Sequence, residues 1–74
     1  MITVSVYKQS TGKPVSGARV VLSFSGITRM GQVQERTNSN GQAHFSRDPG
    51  NGKVIINGRT VREGRLQGNM VFYV

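Results

Sequence analysis

Apolar and polar residues alternate from the start of the chain. Ile2, Val4 and Val6 fall on one side of an extended segment, with Thr3, Ser5 and Tyr7 on the other. A period of two marks a strand with one buried face. The alternation returns at Ala18, Val20, Leu22 and Phe24, with Arg19, Val21 and Ser23 in the opposite phase. It predicts a third strand over Gln32 to Thr37, with Val33, Glu35 and Thr37 on one side, and a fourth over Gln42 to Arg47, with Ala43 and Phe45 inward. The expected fold is all-β, a small antiparallel β-sandwich of roughly seven strands.

Turn chemistry falls between these runs. In Ser10-Thr-Gly-Lys-Pro14, Gly12 supplies a positive φ and Pro14 presets the backbone of the next element. Asn38-Ser-Asn-Gly41 has the Asn and Gly of a tight hairpin. Asp48-Pro-Gly-Asn-Gly52 reads as a dense turn, and Ser25 to Gly31, the least patterned stretch, as a loop.

Two-residue hairpin loops at Asn57-Gly58 and Glu63-Gly64 would make a definite register in the last third. Ile56 would stand opposite Arg59, Val54 opposite Val61, Lys53 opposite Arg62, Arg62 opposite Arg65, and Val61 opposite Leu66. That register builds an apolar row, Val54-Val61-Leu66, and a basic row, Lys53-Arg62-Arg65, on opposite faces. Met70, Phe72 and Val74 continue the apolar phase while Val71 and Tyr73 take the other face, so the last strand reads as central in its sheet. Val21, Val71 and Tyr73, all in the opposite phase from the core, belong either to an interface in a homodimer or under loops, with loops slightly favoured.

Val4-x-Val6, then Thr11-Gly12-x-Pro14-Val15-x-Gly17-Ala18-x-Val20, then Thr37-Asn38-x-Asn40-Gly41-x-Ala43-x-Phe45, resembles the carboxypeptidase-regulatory-like, transthyretin-like and collagen-adhesin B-type domains. The resemblance spans most of residues 2 to 58. It implies a prealbumin-like (Ig-like) sandwich and a non-catalytic structural module, or one that holds a protein or glycan partner. Adhesin-type relatives can carry an internal isopeptide bond from a first-strand Lys to a last-strand Asn, assisted by an acid. By that resemblance the participants here would be Lys8, Asn69 and Glu35, against the plainer reading of Lys8 as an ordinary strand-end lysine.

A chain of 74 residues forms one domain, 1–74. A domain of this size buries only roughly 60% of its unfolded surface. There is no cysteine to supply disulfides or a cysteine zinc site, and the single His and three acidic residues do not suggest a metal cage. His44, between two inward residues, points away from the core, and no Ser-His-Asp order or paired carboxylates accompany it. No enzyme and no cofactor are expected. The N-terminus lacks the pattern of a secretory signal and no apolar stretch is long enough for a membrane span. A complete protein of this sequence would be cytoplasmic; a module of a longer one would be extracellular or at the cell surface.

Charge adds the last clue. Ten Lys and Arg against three Asp and Glu leave a formal net charge of +7, which favours anionic partners. The alternative function is therefore a small basic protein binding nucleic acid or another anionic polymer. Its contacts would be Lys53, Arg62 and Arg65, with Arg59, Arg19 and Arg36 outlying. Solvated charges that deter edge-to-edge pairing are the plain reading of the same residues. Tyr7 and Tyr73 sit at the chain's ends rather than interleaved with the basic residues, unlike a base-stacking groove.

Overall fold

The computed structural model describes residues 1–25 and 32–74. The loop expected over Ser25 to Gly31 lies, from residue 26 on, outside the described residues. The chain is all-β, in the order β1 (Ile2–Tyr7), β2 (Arg19–Phe24), β3 (Gln32–Arg36), β4 (Gln42–Phe45), β5 (Gly50–Ile56), β6 (Arg59–Leu66) and β7 (Gly68–Tyr73). These strands form a three-stranded sheet, β4-β1-β7, and a four-stranded sheet, β3-β2-β5-β6. Among the described residues no helix is long and apolar enough to cross a membrane.

The alternating positions do form the core. Ile2, Val4, Val6, Ala43, Phe45 and Met70 of one sheet cluster with Val20, Leu22, Val54, Ile56 and Leu66 of the other. Val33 and Val61 are half-buried against this cluster. Burial of one phase along β1, β2, β4 and β5 is what period-two patterning produces when two sheets share one apolar layer.

The two turn-bearing segments that define the sequence pattern meet in space. The Ala18 N–H donates to Thr37 Oγ1 at 2.9 Å, and that hydroxyl donates to the Val15 carbonyl at 2.6 Å. Two main-chain bonds of 2.9 Å, Gly17 N–H to Thr37 carbonyl and Thr37 N–H to Ala18 carbonyl, close the join. Asn38 Oδ1 accepts from the N–H groups of Asn40 and Gln42, so the carboxamide organises the hairpin that follows. Gly41, at φ +76°, has no room for a side chain: a Cβ would lie 2.6 Å from the Val6 carbonyl oxygen and 2.9 Å from Pro14 Cβ.

Four expectations change. β4 ends at Phe45 rather than Arg47. Gly50-Asn51-Gly52 is strand, not turn, because β5 runs beside the backbone of β2 so closely that a Cβ on Gly52 would strike the Ser23 carbonyl oxygen. β7 is an edge strand and pairs with β1 in parallel, so the fold is not purely antiparallel. The central strand of that sheet is β1, whose outward Ser5 is buried between Gln42 and Val71 in the flanking strands. Finally, Val71 and Tyr73 do not pack under loops: they are 51% and 61% exposed.

Candidate anion-binding face

The proposed basic row does not form. The Asn57-Gly58 turn is present, with both residues at positive φ and Ile56 opposite Arg59. Beyond it, Ile55 pairs with Thr60 and Val54 with Arg62, leaving Val61 as an extra, bulged residue. There is no second hairpin at Glu63-Gly64, since Arg59–Leu66 is one strand. Lys53 consequently stands opposite Glu63, not Arg62, and Arg65 stands opposite Asn51.

Electrostatics agree with this register. Like charges directly opposite each other destabilise a sheet, whereas the observed pairing brings Lys53 Nζ to 3.6 Å from the Glu63 carboxylate. Arg62, across from the buried Val54, donates through a guanidinium nitrogen to the Arg65 carbonyl at 3.3 Å. The Arg65 Nε–H donates to Gln67 Oε1 at 3.2 Å. Arg62 and Arg65 thus fall on opposite phases of the pleat. The apolar residues keep their destination, since Val54 and Leu66 are fully buried and Val61 packs against them.

A different pair of cations does face each other. Arg19 of β2 stands directly opposite Arg36 of β3. The join between Ala18 and Thr37 sets this register, since the next residues inward along the two strands are then Arg19 and Arg36. Both side chains lie on the outward face, because Val20 and Leu22 of β2 point into the core. The Arg36 guanidinium donates to the Gly17 carbonyl at 3.0 Å. The Arg19 N–H donates to Asn57 Oδ1 at 3.0 Å, which holds the β5–β6 turn beside this pair; Arg59, opposite the buried Ile56, is in the other phase.

The outward face of the four-stranded sheet can be followed row by row. One row runs Gln32, Ser23, Lys53, Glu63; the next runs Gln34, Val21, Ile55, Thr60; then come Arg36 and Arg19. Glu63 is the carboxylate of these rows and is already paired with Lys53. Glu35 stands opposite Val20, in the opposite phase. Among the described residues no carboxylate pairs with Arg19, Arg36 or Arg59. At the far end of the face Asn51 pairs with Arg65, so the face is polar, half-buried at its centre, and carries Arg19 and Arg36 at the end nearest the Asn57-Gly58 turn and Arg65 at the other.

The aromatic pair lies elsewhere. The Tyr7 and Tyr73 rings are 5.8 Å apart on the β1–β7 ladder of the other sheet. His44, exposed on β4 as its phase requires, shares a hydrogen bond of 3.2 Å with Thr3 across to β1.

The isopeptide candidates are not brought together. Asn69 is opposite Thr3 at one end of the parallel β1–β7 ladder, while Lys8 follows Tyr7 at the other. At ~3.3 Å per residue that is a separation of roughly 16 Å. Glu35 belongs to the other sheet. In-register parallel pairing puts Lys8 level with Val74, far from any last-strand amide side chain. Among the described residues no group of three or more His, Cys, Asp or Glu side chains could hold a metal ion.

Compared with known proteins, the chain matches no family model, and no curated protein and no solved structure matches it.

Proposed function

We propose that this chain is a non-catalytic β-sandwich interaction module of the prealbumin-like, carboxypeptidase-regulatory-like type, and that its partner is a linear polyanion held by oxyanion contacts. The observation that carries the reading is the Arg19–Arg36 pair: two guanidinium-bearing residues held directly across from one another, with no carboxylate paired to either among the described residues. Such a pair costs stability in the free protein and is relieved by a phosphate or sulfate placed between the two forks. Lys53, on the same outward face, extends the field, whereas Arg59, opposite the buried Ile56, is in the other phase.

The contacts are to the polymer's charged groups rather than to stacked bases. No aromatic residue occurs in the cross-strand rows of this face, and the tyrosine pair is on the other sheet. The join between the Pro14–Ala18 and Thr37–Gly41 segments supports kinship with the family, since the residues that carry the resemblance make one hydrogen-bonded corner.

The test is binding to a heparin oligosaccharide and to a short DNA duplex across a salt series. A module that neutralises oxyanions loses affinity linearly on a log–log plot, and replacing both Arg19 and Arg36 by Gln flattens the slope by about 1 per arginine. If the affinity and slope of the double variant equal those of the parent, this face is not the site. Preference between the two probes tells sulfated glycan from nucleic acid.

A further inference from the structure

The edges of the two sheets are not equally defended. β3 carries Glu35 and Arg36, β4 is only four residues long, and β6 combines Arg59, Arg62, Glu63 and Arg65 with a bulge. Charge, brevity and bulges are the usual means by which proteins discourage edge pairing. β7, Gly68-Asn-Met-Val-Phe-Tyr73, has none of them: it is uncharged, six residues long, and in unbroken register with β1.

The direction of its free backbone groups follows from the bonds at its end. The Val74 N–H donates to the Tyr7 carbonyl and the Val74 carbonyl accepts from the Gln9 N–H, each at 2.8 Å, so both main-chain groups of Val74 face β1. Main-chain groups alternate sides along a strand, which turns those of Asn69, Val71 and Tyr73 toward the open edge. The side chains of the same three residues are on the exposed, outward face.

We propose that β7 pairs antiparallel with β7 of a second copy, about a two-fold axis through Val71. In that register Val71 meets its own counterpart, and each Asn69 meets the Tyr73 of the other copy. All of these are pairs that exchange both main-chain bonds, so every free group along the seam is satisfied. Met70 falls opposite Phe72 of the other copy on the inner face, which extends the apolar layer of each protomer across the seam. The sheet becomes continuous in the order β4-β1-β7-β7-β1-β4. A strand whose sequence is read the same way by both copies fits the self-complementarity that a two-fold interface demands. It also keeps the seam free of charge in a chain whose net charge of +7 would otherwise drive copies apart.

Sedimentation over a concentration series tests this. The expected result is a concentration-dependent rise toward twice the chain mass of 8.1 kDa, strengthened by salt. Val71→Lys, which sets two ammonium groups across the axis, should leave a monomer with unchanged circular dichroism. Two further variants do not depend on a new charge. N-methylation of the Val71 amide in synthetic protein removes one donor and should also dissociate the dimer. Val71→Cys should be joined to its counterpart in high yield by a short bifunctional thiol reagent, because directly bonded antiparallel pairs have Cα atoms only about 5.5 Å apart. A chain that stays monomeric to its solubility limit overturns the proposal. So does a dimer that survives both Val71→Lys and N-methylation, or one that cross-links through Val21→Cys and not Val71→Cys.

Discussion

Arg19 and Arg36 face each other across β2 and β3, and the Arg36 guanidinium turns to the Gly17 carbonyl rather than to an acid. Replacing Arg36 by Glu converts a like pair into an opposite one, worth about 0.2–1 kcal/mol to the sheet. The variant should therefore unfold at higher urea than the parent while binding heparin more weakly. Stability rising as affinity falls is the mark of a residue kept for binding, and parallel urea and binding titrations measure both.

Thr37 is 5% exposed and its hydroxyl both accepts from Ala18 and donates to Val15. Thr37→Val keeps the shape but leaves the buried Ala18 N–H without a partner, a loss of about 1–3 kcal/mol. Thr37→Ser retains the hydroxyl and should recover most of it. The urea midpoint at constant slope reports the difference.

Two glycines separate steric from conformational demand. Gly12 has φ +73° and open space around it, so Gly12→Ala carries only the left-handed backbone penalty of about 1–2 kcal/mol. Gly52 needs no left-handed backbone, yet a Cβ there would strike the Ser23 carbonyl oxygen and lie 2.9 Å from Phe24 Cα. Gly52→Ala should cost more than Gly12→Ala, because relief requires β5 and β2 to part. Thermal unfolding of the two variants side by side checks the order.

Lys53 and Glu63 form an ion pair whose side chains are 52% and 70% exposed. Exposed pairs contribute about 0–1 kcal/mol, so Glu63→Gln should leave stability nearly unchanged. The same change removes the carboxylate from the cross-strand rows of the basic face and should raise polyanion affinity, most visibly at low salt. Equal affinity of the parent and Glu63→Gln would argue that Lys53 lies outside the site.

Local patterns in the sequence were sufficient for the core and for two turns. Ile2, Val4, Val6, Val20, Leu22, Ala43 and Phe45 are buried as their alternation requires, and Asn57-Gly58 turns the chain where its residue types allow positive φ. What escaped depends on contacts distant in sequence. Gly50 and Gly52 look like turn residues until β2 is placed alongside, and only then does the missing Cβ become a packing requirement. Treating them as a turn shortens β5, and a short β5 invites the false hairpin at Glu63-Gly64.

The bulge at Val61 then slips the register by one residue, which exchanges Arg62 for Glu63 across from Lys53. A signal for the true register was present in the opposite charges of Lys53 and Glu63. Arg19 and Arg36 could have been paired from Ala18 and Thr37, but the unpatterned stretch between β2 and β3 hid how those strands align. That β7 is an edge depends on which strands flank β1, a property of topology that alternation within one strand does not encode.

Any strongly cationic chain gathers on a polyanion at low salt, so the location of contact, more than its occurrence, decides the account. Titrating isotope-labelled protein with a short heparin oligosaccharide while following backbone amide resonances locates it directly. The largest shifts are expected at Arg19, Val21, Gln34, Arg36 and the Asn57-Gly58 turn. Shifts confined to β4, β1 and β7, or spread evenly over every exposed cation, would contradict it.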